Sequence, residues 1–108
     1  MVFKVSIITL FPSMFPGPLS ESLLGKGLKN KIWSLETIDL RNFAENKHKN
    51  VDSPPYGGGA GMIIKREVID LALENLNNKD IPKVYLTPRG TPFKQKRALE
   101  LSKNNGLV

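Results

Sequence analysis

The opening run Val2-Phe3-Lys4-Val5-Ser6-Ile7-Ile8-Thr9 is β-branched and apolar on both of its faces. A strand with one wet face alternates apolar and polar residues, whereas a run without clean alternation belongs to a strand covered on both sides, as in a parallel sheet. Parallel neighbours cannot be joined by a tight turn and need a crossover, usually a helix. The run is also far short of the ~20 apolar residues that span a bilayer, and Pro12 follows close behind it. A basic start, a longer apolar stretch and a small-residue cleavage site would mark a secretory signal, and this opening shows none of the three.

The rest of the chain supplies the expected alternation of strands and helices. Phe11-Pro12 ends the first strand, and Ser20 is placed to cap a helix whose Leu23, Leu24 and Leu28 recur at helical spacing, weakened by Gly25 and Gly27. Residues 32–40 alternate and predict a second strand. Residues 41–62 follow neither period. Residues 66–78 predict a helix with a stripe of Ile69, Ala72, Leu73 and Leu76. Pro82 opens a third strand, Lys83-Val84-Tyr85-Leu86. Thr91-Pro92 has the form of a helix N-cap followed by proline at the first helical position, which predicts a helix to about Lys103, stopped by Asn104-Asn105-Gly106. Leu107-Val108 then starts another apolar run, as expected of a chain truncated at the beginning of a buried strand. The order β-α-β-loop-α-β-α-(β) predicts an α/β domain: a parallel sheet with flanking helices and right-handed crossovers.

At 108 residues the chain is one small domain, and a domain of this size buries roughly 65% of its unfolded surface. The absence of cysteine excludes disulfides, a thiolate nucleophile and a cysteine-ligated zinc site, and is compatible with a cytoplasmic location. A single histidine excludes a two-histidine metal site, so no metal centre is expected. Sixteen Lys and Arg against ten Asp and Glu leave a formal charge of +6, which favours polyanionic partners over neutral ones.

Three segments have residues suited to chemistry. In Val51-Asp52-Ser53-Pro54-Pro55-Tyr56-Gly57-Gly58-Gly59-Ala60-Gly61-Met62, four glycines in five positions expose backbone amides that a phosphate or nucleotide could approach closely. The register is neither a dinucleotide fingerprint nor a P-loop, and a flexible hinge is the competing reading. Arg41, Lys47, His48 and Lys49 precede it as a basic stretch able to contact phosphates, or simply to be solvated. Tyr85-Leu86-Thr87-Pro88-Arg89-Gly90 lies at the C-terminal end of a strand, where open α/β sheets bind ligands, although an ordinary strand-to-helix connection has the same composition. The carboxylates form no evident pair.

Together these segments resemble the bacterial tRNA (guanine-N1) methyltransferases of the trefoil-knot (SPOUT) class. The resemblance runs from Ile7-Ile8-Thr9-Leu10-Phe11-Pro12-Ser13-Met14-Phe15 through Leu40-Arg41-Asn42-Phe43 and His48. It is densest in Val51-Asp52 and Pro55-Tyr56-Gly57-Gly58-Gly59-Ala60-Gly61-Met62, and continues into Tyr85-Leu86-Thr87-Pro88-Arg89-Gly90. It implies the N-terminal part of a SPOUT-type domain and transfer of methyl from S-adenosyl-L-methionine to N1 of the guanosine at tRNA position 37, carried out by a cytoplasmic homodimer. It further implies that Tyr85, Leu86, Thr87 and Pro88 line one wall of the donor pocket, that Pro55, Tyr56, Gly57, Gly58, Gly59 and Gly61 lie near the donor, and that Arg41, His48 and Lys49 face the tRNA.

The resemblance also carries an expectation of incompleteness. The family's Cys-Gly-x-Tyr-Glu-Gly and Ile-Gly-Asp-Tyr-Val-Leu segments, which form the knot, have no counterpart in residues 1–108. Neither does the helical domain carrying the aspartate proposed as general base. Residues 1–108 are therefore expected to be a partial methyltransferase domain with no assignable catalytic residue, inactive by itself. The rival readings are a non-catalytic basic module that binds RNA or phosphate, and a gene remnant without function.

Overall fold

A computed structural model of the chain describes residues 2–44, 51–53, 63–76 and 80–108. Its centre is a parallel three-stranded sheet in the order β2-β1-β5, formed by β1 (Phe3–Thr9), β2 (Trp33–Asp39) and β5 (Gly106–Leu107). The apolar opening run is the middle strand, as its lack of alternation requires. All seven residues of β1 pair with β2, from Phe3↔Trp33 to Thr9↔Asp39, while β5 pairs through Lys4↔Gly106 and Val5↔Leu107. The helices are α1 (Ser22–Lys29), α2 (Arg66–Asn75) and α3 (Gln95–Ser102).

Alternate residues of β1 serve opposite faces. On one face Phe3 and Val5 meet Leu19, Leu24 and Trp33 beneath α1. The Trp33 indole N–H donates to the Leu24 carbonyl at 2.9 Å and so ties α1 to the strand that follows it. On the other face Ile8 joins the buried cluster of Leu40, Val51, Val68 and Ala72, which seats α2 against the C-terminal half of the sheet. Ser6, the buried polar residue of β1, donates its hydroxyl to the Glu36 carboxylate at 3.4 Å across the Ser6↔Glu36 pair.

Several elements differ from the sequence expectation, each for a local reason. Ser20 does not cap α1. Its hydroxyl donates to the Gly17 carbonyl at 2.7 Å and closes a 3₁₀ turn, Gly17–Ser20, so Glu21 occupies the cap position without a side-chain bond. The two glycines of α1 have steric roles: a Cβ on Gly25 would fall on the Ser20 carbonyl oxygen, and one on Gly27 would come within 3.0 Å of the Trp33 ring. The stretch expected to lack regular structure contains a 3₁₀ turn, Leu40–Phe43, and a short strand β3 (Asp52–Ser53), which pairs antiparallel with β4 (Ile63–Ile64). In α2 the buried positions are Val68 and Ala72, one helical step apart, so the packed stripe runs through Val68 rather than Leu73, and the helix ends at Asn75. α3 begins at Gln95, three residues beyond Pro92, with Lys94 extended at its cap; Thr91-Pro92 is a connector, not a helix start.

The third predicted strand is the largest correction. Residues 82–87 form no ladder beyond one point of pairing, where the Val108 amide donates to the Pro82 carbonyl at 3.0 Å and the Val84 amide donates to the Val108 carbonyl at 2.7 Å. These two bonds flank Lys83 in the pattern of a parallel neighbour. The segment thus lies alongside β5, making it the next line of the sheet in the order β2-β1-β5-(82–84).

Candidate functional site

Because every line of this sheet is parallel, the C-terminal ends of the strands share one edge, the place where open α/β sheets bind ligands. Thr9 ends β1 and Asp39 ends β2, directly paired. The Thr9 hydroxyl accepts the Phe11 amide at 3.0 Å and the Asp39 carboxylate accepts the Arg41 amide at 2.9 Å, so each closes the turn that leaves its own strand. Counting along the parallel register, Lys83 lies level with Ser6 through Val108, and Tyr85 and Leu86 follow it in the direction of that edge. Two interstrand spacings, about 10 Å, separate Lys83 from Ser6. Among the described residues the ladder on that side of β1 ends at Val5↔Leu107, and Tyr85 and Leu86 are open, at 84% and 88% exposure.

Beyond Leu86 the chain turns tightly. The Gly90 amide donates to the Thr87 carbonyl at 3.1 Å, and the Thr87 hydroxyl accepts the Arg89 amide at 3.3 Å. This double closure holds Thr87-Pro88-Arg89-Gly90 as a turn. An aromatic ring, a branched aliphatic side chain and unladdered backbone are therefore offered together at the sheet edge. That combination suits a ligand with a flat heteroaromatic part and polar groups that bond to main chain.

Of the other residues singled out in the sequence, Arg41 lies in the 3₁₀ turn Leu40–Phe43, exposed, just past the end of β2 and at the same edge as Tyr85 and Leu86. Pro55, Tyr56, Gly57, Gly58, Gly59 and Gly61, together with His48 and Lys49, lie outside the described residues. Their flanks do not: the Lys65 amide donates to the Val51 carbonyl at 2.6 Å and Ser53 pairs with Ile63, so the two chain ends bounding the glycine-rich segment sit side by side. Val51 is 2% exposed, in the cluster under the C-terminal half of the sheet. Val51, Ser53, Ile63 and Lys65 thus form a described pair of flanks held against the cluster that Leu40, next to Arg41, also joins.

Asp39 is the polar residue at this edge that the sequence reading passed over. Its place as the last residue of an alternating strand, just before Leu40-Arg41-Asn42, was the available signal. A polar hollow of about 350 Å³ lies elsewhere, between Lys4, Ser6, Ser34, Glu36 and Asn75, toward the N-terminal half of the strands. Among the described residues no group of acidic or histidine side chains is arranged to hold a metal, and no helix is long and apolar enough to cross a membrane.

Comparison with known proteins adds identity to this geometry. Residues 3–108 match the family described as tRNA (Guanine-1)-methyltransferase TrmD. A tRNA (guanine-N(1)-)-methyltransferase of Zymomonas mobilis is 47% identical over 108 residues, covering 98% of this chain and 43% of the relative. A protein of the same name from Wolbachia pipientis of Culex pipiens is 50% identical over 104 residues, covering 94% and 45% respectively. One from Rhizobium johnstonii is 42% identical over 109 residues, covering all of this chain and 45% of the relative. The chain thus spans less than half the length of these relatives.

Proposed function

The chain belongs to the tRNA (guanine-1)-methyltransferase family, and from that premise we propose that it takes part in methylating N1 of the guanosine at position 37 of tRNA, with S-adenosyl-L-methionine as the methyl donor. The observation that carries this reading is the family match over residues 3–108, which includes both the glycine-rich segment and the Tyr85–Gly90 turn. The donor supplies an electrophilic methyl group. Tyr85 and Leu86 would pack against its flat and aliphatic parts, and the backbone of residues 85–88 would bond its polar edge. Pro55, Tyr56, Gly57, Gly58, Gly59 and Gly61 would close the opposite side, and Arg41, His48 and Lys49 would contact tRNA phosphates.

Guanine N1 carries a proton that must leave as the carbon–nitrogen bond forms, which calls for a base near N1 and for donors that steady charge on O6. The described carboxylate at the edge, Asp39, accepts a backbone amide and closes a turn, so the base is not assigned to it. In-line approach of methyl and nitrogen further requires that water be excluded and both partners held. The openness of Tyr85 and Leu86 supports a reading in which the described residues do not by themselves enclose the two partners. We therefore assign to this chain donor and tRNA contacts within a cytoplasmic, homodimeric enzyme, and expect no turnover from residues 1–108 by themselves.

The test is a chimera in which these residues replace the segment they match in the Zymomonas mobilis relative. Transfer of labelled methyl is assayed on a tRNA with guanosine at position 37 and on its adenosine variant. Guanosine-dependent incorporation is the expected result. A folded chimera that is inert, beside an active parent, overturns the reading. Incorporation by the 108-residue chain alone would show that the base lies within it.

A further inference from the structure

The edge of the sheet opposite the candidate site carries five exposed lysines. α1 and α3 both end there, and the turns that deliver β2 and β5 pass through it. Lys26 and Lys29 lie in the last turn of α1, Lys31 follows in the turn before β2, Lys4 is the second residue of β1, and Lys103 caps α3. These pieces are stitched together by backbone bonds: the Ile32 amide to the Gly27 carbonyl, the Phe3 amide to the Ile32 carbonyl and the Lys4 amide to the Asn105 carbonyl. All five lysines are exposed, and among the described residues none is in an ion pair. The acids in this neighbourhood are Asp80, before Pro82, Glu74 in the last turn of α2, Glu36, which accepts the Ser6 hydroxyl, and Glu100, which is paired with Arg97.

Helix polarity accounts for only part of this rim. The partial negative charge at a helix C-terminus favours cations in the last turn, which covers Lys26, Lys29 and Lys103. It does not cover Lys4, which is in a strand. Nor does it cover Lys31, held at φ 59°, a left-handed conformation usually given to glycine or asparagine.

We propose that this N-terminal rim binds the phosphate backbone of RNA. Exposed lysines outside ion pairs, gathered at one end of the sheet, are suited to polyphosphate as point charges, without base recognition. The choice of RNA rests on the tRNA reading above. Five residue steps along β1, from Lys4 to Thr9, separate the rim from the candidate site by about 17 Å. The rim therefore grips a part of the tRNA well away from the base being modified.

The experiment measures affinity of the 108-residue chain for a tRNA transcript across a series of salt concentrations. One variant neutralises the rim (Lys4→Gln, Lys26→Gln, Lys29→Gln, Lys31→Gln, Lys103→Gln). A control removes the same charge elsewhere (Lys65→Gln, Arg66→Gln, Lys94→Gln, Lys96→Gln, Arg97→Gln). Circular dichroism melts establish that both are folded. Each phosphate contact contributes roughly 0.7–0.9 to the slope of log affinity on log salt, so the five-lysine rim variant is expected to lose about 3.5–4.5 of that slope and the control much less. Equal losses in the two variants, an unchanged slope in the rim variant, or a wild-type affinity that is flat in salt each overturn the proposal. So does loss of binding to phosphatidylserine vesicles with RNA affinity intact, which would make the rim a membrane contact. Failure of the methyl-transfer reading appears in the chimera assay instead and leaves the slope untouched.

Discussion

The amide of Lys65 donates to the carbonyl of Val51 at 2.6 Å, joining two points on either side of the glycine-rich segment. Among the described residues Val51 is also the largest fully buried side chain, so one residue serves both the clasp and the core. Val51→Ala is expected to destabilise the chain by roughly 2 kcal/mol through lost burial and an unfilled cavity. Equilibrium urea denaturation would measure this. A change within 0.5 kcal/mol, the usual range for surface sites, would show that Val51 is not a core residue.

Gly25 offers a sharper test, because two effects oppose each other there. Helix propensity favours Gly→Ala by about 1 kcal/mol at an interior position. The added Cβ, however, would land on the Ser20 carbonyl oxygen, a backbone atom that cannot swing aside. Gly25→Ala is therefore expected to lower the melting temperature, where propensity alone would raise it. A raised melting temperature would mean that the contact between α1 and the preceding 3₁₀ turn is wrong.

Gly106 is the matching position in the sheet. A Cβ there would meet the carbonyl oxygen of Lys4, across the β1–β5 ladder. Gly106→Ala should open that ladder, and amide hydrogen exchange should report faster exchange at Lys4 in the variant. Unchanged protection of Lys4 would contradict the pairing.

Leu86 separates stability from ligand contact. At 88% exposure, Leu86→Ala is expected to change unfolding free energy by less than about 0.5 kcal/mol. In the active chimera the same substitution should raise the KM for S-adenosyl-L-methionine several-fold. An unaltered KM would remove Leu86 from the donor wall.

The parallel sheet could be read in the sequence because Val2–Thr9 and residues 32–40 declare their periods within a few residues, and Ile69 and Ala72 do so for α2. What escaped was decided by contacts between distant positions. Ser20 has the chemistry of an N-cap, but its hydroxyl is taken by Gly17, a choice set by the geometry of the preceding turn. Lys83-Val84-Tyr85-Leu86 has strand composition, yet a strand is defined by its partner, and among the described residues only Val108 bonds to it as one. Asp52-Ser53 and Ile63-Ile64 are too short to show any period and pair only because Val51 and Val68 are drawn into one cluster. The candidate site was legible as motifs, Tyr85–Gly90 above all. Asp39 was missed because a residue that ends a strand carries no mark of the edge it stands on.

The pairing of Lys4 with Gly106 also has a consequence in time. β1 and α1 are made first, and β2 can join them after a short crossover, but the other edge of β1 must wait until residues 106–107 have been synthesised. At ribosomal speeds of ~5–20 residues per second, that interval is roughly 5–20 s. Throughout it the nascent chain displays an apolar strand with one row of amides and carbonyls unmatched, an opportunity for intermolecular pairing. The central strand of the finished sheet is, during translation, an exposed edge that a holding chaperone would have reason to cover.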